Sequence, residues 1–156
     1  MYHTKLHVFD FDLTLFKPIP GLEDAWYSSL DSLTPPHVPD LPGHEWYVRP
    51  VVEQALPSVQ DPEVFTLLMT GREPWFEERI KQLLKLVNLS FDDYLFCLPN
   101  YATDDQKLNK LSYHLTALPN LEEVKIWDDR KDYLARYLEL ARSVVPNTTG
   151  YLVVTF

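Results

Sequence analysis

Apolar positions along the chain fall into five short, nearly continuous runs. These are Leu6–Phe11, Val64–Met69, Tyr94–Leu98, Val124–Trp127 and Tyr151–Phe156. Continuous rather than alternating apolar runs of this length predict strands buried on both faces, as in a parallel sheet. Between them the spacing becomes helical. Residues 75–89 place Phe76, Ile80, Leu83, Leu84 and Val87 on one face. Residues 105–118 do the same with Leu108, Leu111, Leu115 and Leu118, and residues 131–142 with Tyr133, Leu134, Tyr137, Leu138 and Ala141. A shorter helix is predicted over Val51–Leu56 after Pro50, a residue tolerated at helix starts. Strands alternating with helices predict an α/β, Rossmann-like three-layer sandwich.

One segment breaks the alternation. Pro18 to Pro62 holds nine of the thirteen prolines and no strong strand signal, and it carries Trp26, Tyr27, Trp46 and Tyr47. Residues 18–48 read as a small proline-rich lid or cap inserted after the first strand of a single domain, 1–156. The four aromatics suit either closure of a small core or stacking on bases, with core closure favoured.

Composition narrows the classes. With 46% hydrophobic residues in 156, the chain can bury a real core. No apolar run approaches the ~20 residues needed to span a bilayer. The N-terminus lacks the basic segment and apolar core of a signal peptide. The single cysteine, Cys97, allows no internal disulfide and suits a reducing, intracellular compartment, cytoplasmic or nuclear. One cysteine and five scattered histidines offer no zinc-site spacing. A net charge of −9 disfavours broad electrostatic binding to nucleic acid, yet permits local capture of a phosphorylated end if a cation assists.

The carboxyl ends of parallel strands form one edge, where sites are built. The first strand ends in Asp10, Asp12 and Thr14, the second in Thr70, Gly71 and Arg72, the fourth in Asp128, Asp129 and Arg130; Lys107 and Lys110 follow the third. Clustered carboxylates make a hard-oxygen site suited to Mg²⁺. A lysine and a metal offset phosphoryl charge, one carboxylate can accept the phosphoryl group, and a second can move protons. The pattern predicts metal-assisted phosphoryl transfer. The plainer readings are a solvated strand end for Asp10 and Asp12, a Thr70–Glu73 capping box, a solvent-facing Lys107 with Lys110 in its place, and a helix-start role for Asp128 or Asp129. The capping box is disfavoured because Pro74 has no N–H to give; a cap at Glu73 with Pro74 first fits better.

"DFDLT" resembles the DxDxT motif of the haloacid dehalogenase (HAD) superfamily. "LLMTGR" is similar to its second motif, Lys107 to its third, and "IWDDR" to its acidic fourth. The same stretches, with "RPVVEQAL" and "TDDQK", resemble the phosphatase domains of polynucleotide kinase-phosphatases and the HAD domain of Swiss Army Knife RNA-repair proteins. The resemblance implies a five-stranded sheet in order 5-4-1-2-3 and a Mg²⁺-dependent phosphatase. Asp10 would be nucleophile and metal ligand, and Asp12 general acid/base with its carbonyl on the metal. Thr70 and the Gly71 amide would hold phosphoryl oxygens, and Lys107 would neutralise charge. Asp129 and Asp128 would complete the metal shell, with the direct ligand left open, and Arg72 would contact substrate phosphate. Phage-type relatives usually carry Gly where this chain has Leu13. The implied substrate is a phosphorylated RNA or DNA end, with a small-metabolite phosphatase and a non-catalytic binding module as the competing readings.

Overall fold

The computed structural model describes residues 2–19 and 24–155. Its core is one five-stranded, all-parallel sheet: β1 (Lys5–Phe9), β2 (Val64–Thr70), β3 (Asp93–Phe96), β4 (Glu123–Asp128) and β5 (Thr148–Leu152). The order β3-β2-β1-β4-β5 is the expected 5-4-1-2-3 read from the other edge. The helices are α1 (Asp24–Ser28), α2 (Arg49–Gln60), α3 (Glu77–Lys85), α4 (Thr103–Ala117) and α5 (Lys131–Val144).

Strand side chains alternate between two cores. Leu6 and Val8 of β1, with Val124 and Ile126 of β4, pack against Leu111 and Leu115 of α4 and Leu134, Tyr137 and Ala141 of α5. On the other face Phe9, Leu68 and Trp127 meet Val51, Val52 and Ala55 of α2 and Ile80, Leu83 and Leu84 of α3. An aromatic ladder crosses three strands there. Phe9 stacks on Trp127 with ring centroids 4.2 Å apart, and Trp127 on Tyr151 at 4.7 Å.

Several boundaries differ from expectation. β1 stops at Phe9, so Asp10, Phe11 and Asp12 lie in the exit turn. β5 starts three residues before Tyr151 and ends at Leu152; Phe156 lies outside the described residues. Its first residues carry little apolar signal because a close approach replaces bulk. A Cβ on Gly150 would sit 2.6 Å from Leu138 Cδ1 of α5. α2 runs past Leu56 with Pro57 inside it. The expected 75–89 helix opens as a 3₁₀ turn, Pro74–Phe76, with Glu73 at the N-cap position but no side-chain capping bond, before α3 begins. It closes early because Asn88 turns left-handed (φ 62°). The Leu89 N–H then returns to the Leu84 carbonyl and the Asn88 N–H to Lys85, a Schellman closure.

The described part of the 18–48 insertion contributes Leu33 and Val38 to the α2/α3 core. Tyr47 is buried, and its hydroxyl donates to the Leu83 carbonyl at 2.6 Å. Trp46 packs against the same core, and Trp26 sits edge-on to His37. Tyr27 remains partly exposed. Residues 20–23 of the insertion lie outside the described residues. Among the described residues no helix is long and apolar enough to cross a membrane.

Candidate active site

Register explains how the acids meet. Phe9 pairs with Trp127 across β1 and β4, and the Asp10 N–H donates to the Trp127 carbonyl at 3.1 Å. Asp10 therefore lies beside Asp128, which ends β4. Carboxylate oxygens of Asp10, Asp128 and Asp129 all fall within 4.8 Å of one another. The Thr14 hydroxyl donates to Asp10 Oδ2 at 3.1 Å, leaving Oδ1 to accept from Lys107 Nζ at 3.0 Å.

Lys107 comes from the second turn of α4 and is buried, with its ammonium also 3.7 Å from Asp128 Oδ2. Lys110, the alternative, instead faces Asp93 at 2.8 Å. Asp128 Oδ1 accepts the Arg130 N–H at 2.8 Å, so this residue serves the start of α5 as well as the cluster.

Electrostatics mark the cluster as short of positive charge. Burial pushes the Asp128 carboxyl up, and the Asp10 charge adds to it. Burial also raises Asp129, helped by its hydrogen bond to Asp10 and by the charges of Asp10 and Asp128. Burial alone would lower Lys107, but Asp10 and Asp128 outweigh it and raise the ammonium above its usual range. Three carboxyl groups around one ammonium form a donor set of hard oxygens whose ionised forms lack positive charge, which fits a divalent cation such as Mg²⁺.

Around the cluster is a cavity of about 390 Å³ lined by Asp10, Asp12, Leu13, Tyr27, Ser28, Gly71, Arg72, Glu73, Thr103, Lys107, Asp128, Asp129, Arg130 and Tyr133. A wider depression of about 730 Å³ lies beside β3 and α4, but Asp93 there is already paired with Lys110 and His114. The cavity with convergent unneutralised acids is the one that suits chemistry.

Other candidates fall differently. Gly71 is exposed on the cavity wall. Thr70 is fully buried beneath it, absent from the lining, and its Oγ1 accepts the Arg72 N–H at 3.2 Å. Arg72 lines the cavity, and its buried guanidinium also donates through Nε and Nη2 to both oxygens of Asp12, at 2.8 and 2.7 Å. A buried cation needs such compensation.

Two lining groups and one buried group add to the expected set. Thr14 is fully buried and reaches the site only through its hydrogen bond to Asp10. Tyr133, on the apolar stripe of its helix, lines the cavity. Arg130, placed at the fourth strand end by the sequence, also lines the cavity and lays its guanidinium 3.9 Å from the centre of the Tyr133 ring. An arginine three residues before a tyrosine at a helix start was the available signal.

The model of HAD domain family 1 in Swiss Army Knife RNA repair proteins matches residues 22–152. The chain belongs to this family. The matched span takes in Thr70, Lys107, Asp128 and Asp129. Asp10 and Asp12 lie ahead of it and join the site through the β1–β4 pairing. A solved structure of the HAD domain of effector protein Lem4 from Legionella pneumophila, an inactive mutant, is similar at a TM-score of 0.61 and 12% identity. The match covers 99% of this chain and 88% of that one, and at this identity it shows the shared HAD fold. No curated protein matches the chain.

Proposed function

We propose that this HAD domain is a Mg²⁺-dependent phosphomonoester hydrolase working through an aspartyl-phosphate on Asp10, and that its substrates are phosphorylated nucleic-acid ends. The observation that carries the reading is the buried Lys107–Asp10 pair beside Asp128 and Asp129 on a cavity wall. A non-catalytic module has no need to hold three acids and a lysine in a partly buried cluster, which is unfavourable without a ligand.

In this reading Asp10, Asp128 and Asp129 would hold the cation, and when bound it would supply positive charge to offset that of the phosphoryl group. An Asp10 oxygen attacks phosphorus as the bond to the leaving oxygen breaks. Asp12 gives its proton to that oxygen and is left a carboxylate. Asp12 then takes a proton from water as the water oxygen attacks phosphorus, which releases phosphate and restores the Asp10 carboxylate. Lys107 stays paired with Asp10 and limits charge build-up around the phosphoryl group.

Two things support a nucleic-acid end. The family is described from RNA repair proteins. The cavity rim also offers planar surfaces, Tyr27 on one side and the Arg130–Tyr133 stack at the start of α5, suited to a base next to the phosphate. The test is a Mg²⁺ panel of 3′- and 5′-phosphorylated oligonucleotides, nucleotides and sugar phosphates, with Asp10→Asn as control. Asp10-dependent release from oligonucleotide ends is expected. Release from small metabolites alone would remove the nucleic-acid reading, and no Asp10-dependent release would remove the enzyme.

A further inference from the structure

We infer that Arg72 is a positioning residue that holds the Asp12 side chain in place and ties it to the proline-rich segment after β1. The inference rests on the phosphatase reading for its catalytic half only. Arg72 is buried, and its donors divide between two parts of the molecule. Nε and Nη2 grip Asp12 in a bidentate pair, while Nη1 donates to Ser32 Oγ at 2.6 Å and to the Tyr27 carbonyl at 3.2 Å. The guanidinium lies against the Phe76 ring, 4.8 Å from its centre, and 5.7 Å from that of Tyr27. The planar fork therefore cannot turn toward one partner without releasing the other. A second tether runs in parallel, from Trp75 Nε1 to the Ser28 carbonyl at 3.0 Å.

The consequence follows from the proton path. Asp12 becomes a carboxylate when its proton passes to the leaving oxygen, and it must stay aimed for the water step. A bidentate guanidinium fixes the rotamer of Asp12. Loss of Arg72 should therefore slow hydrolysis of the aspartyl-phosphate more than its formation. Because the same guanidinium binds Tyr27 and Ser32, an ordered segment and an aimed Asp12 are one state.

The test has two arms. In the first, p-nitrophenyl phosphate, whose leaving group needs little protonation, is turned over with Mg²⁺ by wild type, Arg72→Lys, Ser32→Ala and Asp12→Asn. Arg72→Lys and Asp12→Asn should lose about 10-fold or more in kcat with a burst of nitrophenol, while kcat/KM changes by less than about 3-fold. Ser32→Ala should shift the same way by less. Equal losses in kcat and kcat/KM would mark a merely structural role and overturn the catalytic half. The second arm needs no turnover: amide exchange of residues 27–33 should quicken in Asp12→Asn as it does in Arg72→Lys. Unchanged exchange in Asp12→Asn overturns the coupling. If wild-type turnover survives Asp10→Asn, the phosphatase reading fails with the catalytic half, and the exchange arm still decides the coupling.

Discussion

Lys107 Nζ lies 3.0 Å from Oδ1 of Asp10, a contact between residues 97 apart in the chain. Both are buried, so each is the other's main compensation for lost water. Replacing Lys107 by Met keeps most of the volume but strands Asp10 and Asp128. Lys107→Met should lower stability by about 3–5 kcal/mol without metal, the usual result of breaking a buried pair from one side. It should also reduce phosphate release by at least about 100-fold. Denaturant unfolding and the substrate panel check both. A Lys107→Met protein as stable and active as wild type would show that the pair matters to neither.

The acid cluster makes a prediction about metal. A ligand that binds only the folded state at 100 times its Kd adds about 2.7 kcal/mol, worth about 5–10 °C in Tm for a domain of this size. Mg²⁺ should raise the wild-type Tm on that scale. Asp129→Asn removes one of the three carboxylates and should flatten the response. Thermal scans over a Mg²⁺ series, with EDTA as reference, decide it; the same rise in the variant would place the cation elsewhere.

What could be read from the sequence, and what could not, follows from how each contact is specified. Asp10, Asp128 and Asp129 were legible as a group because a parallel sheet delivers its strand ends to one edge. The choice of Lys107 over Lys110 was not, since it depends on how far α4 has turned before reaching β1. The Arg72–Asp12 pair was not legible because nothing local announces a bidentate partner 60 residues earlier in the chain. β5 was misplaced because an edge strand bearing Thr149 and Gly150 trades apolar bulk for a close approach to α5. The early end of α3 was hidden in Asn88, whose left-handed turn is common for Asn but not obligatory.

Leu13 carries a related prediction. It takes φ 61° in the exit turn, with its N–H donating to the Phe16 carbonyl at 2.8 Å. A left-handed conformation strains an L-residue by about 1–2 kcal/mol, and glycine gives back about 0.5–1 kcal/mol of that through backbone entropy. The Leu13 side chain is 42% exposed, so its burial offsets little. Leu13→Gly should raise stability by up to about 1 kcal/mol, and Leu13→Val should lower it. Urea unfolding of the two variants against wild type checks the order. A destabilised glycine variant would mean that the leucine side chain itself holds the turn.

His7 gives the pH dependence. On β1 its Nδ1 lies 2.7 Å from Ser58 Oγ of α2 and its Nε2 3.0 Å from Glu123 Oε2 of β4, beside Lys5, Lys125, Glu53 and Asp61. Burial lowers its pKa from 6.5; Glu123 opposes the shift, and Lys125 and Lys5 add to it. The unfolded imidazole thus binds a proton at a pH where the folded one does not. The stabilisation is complete above about 6.5 and declines as pH falls from there through the lowered folded value, at a slope of at most about 1.4 kcal/mol per pH unit. His114, also lowered by burial and paired with Asp93, contributes in the same sense. His7→Gln keeps a polar group between Ser58 and Glu123 but cannot titrate. Urea unfolding between pH 7.5 and 5 should therefore show wild type losing stability faster than His7→Gln, the gap opening below about 6.5. Parallel profiles would mean that His7 is protonated as readily in the fold as out of it, and that the Glu123 contact outweighs burial.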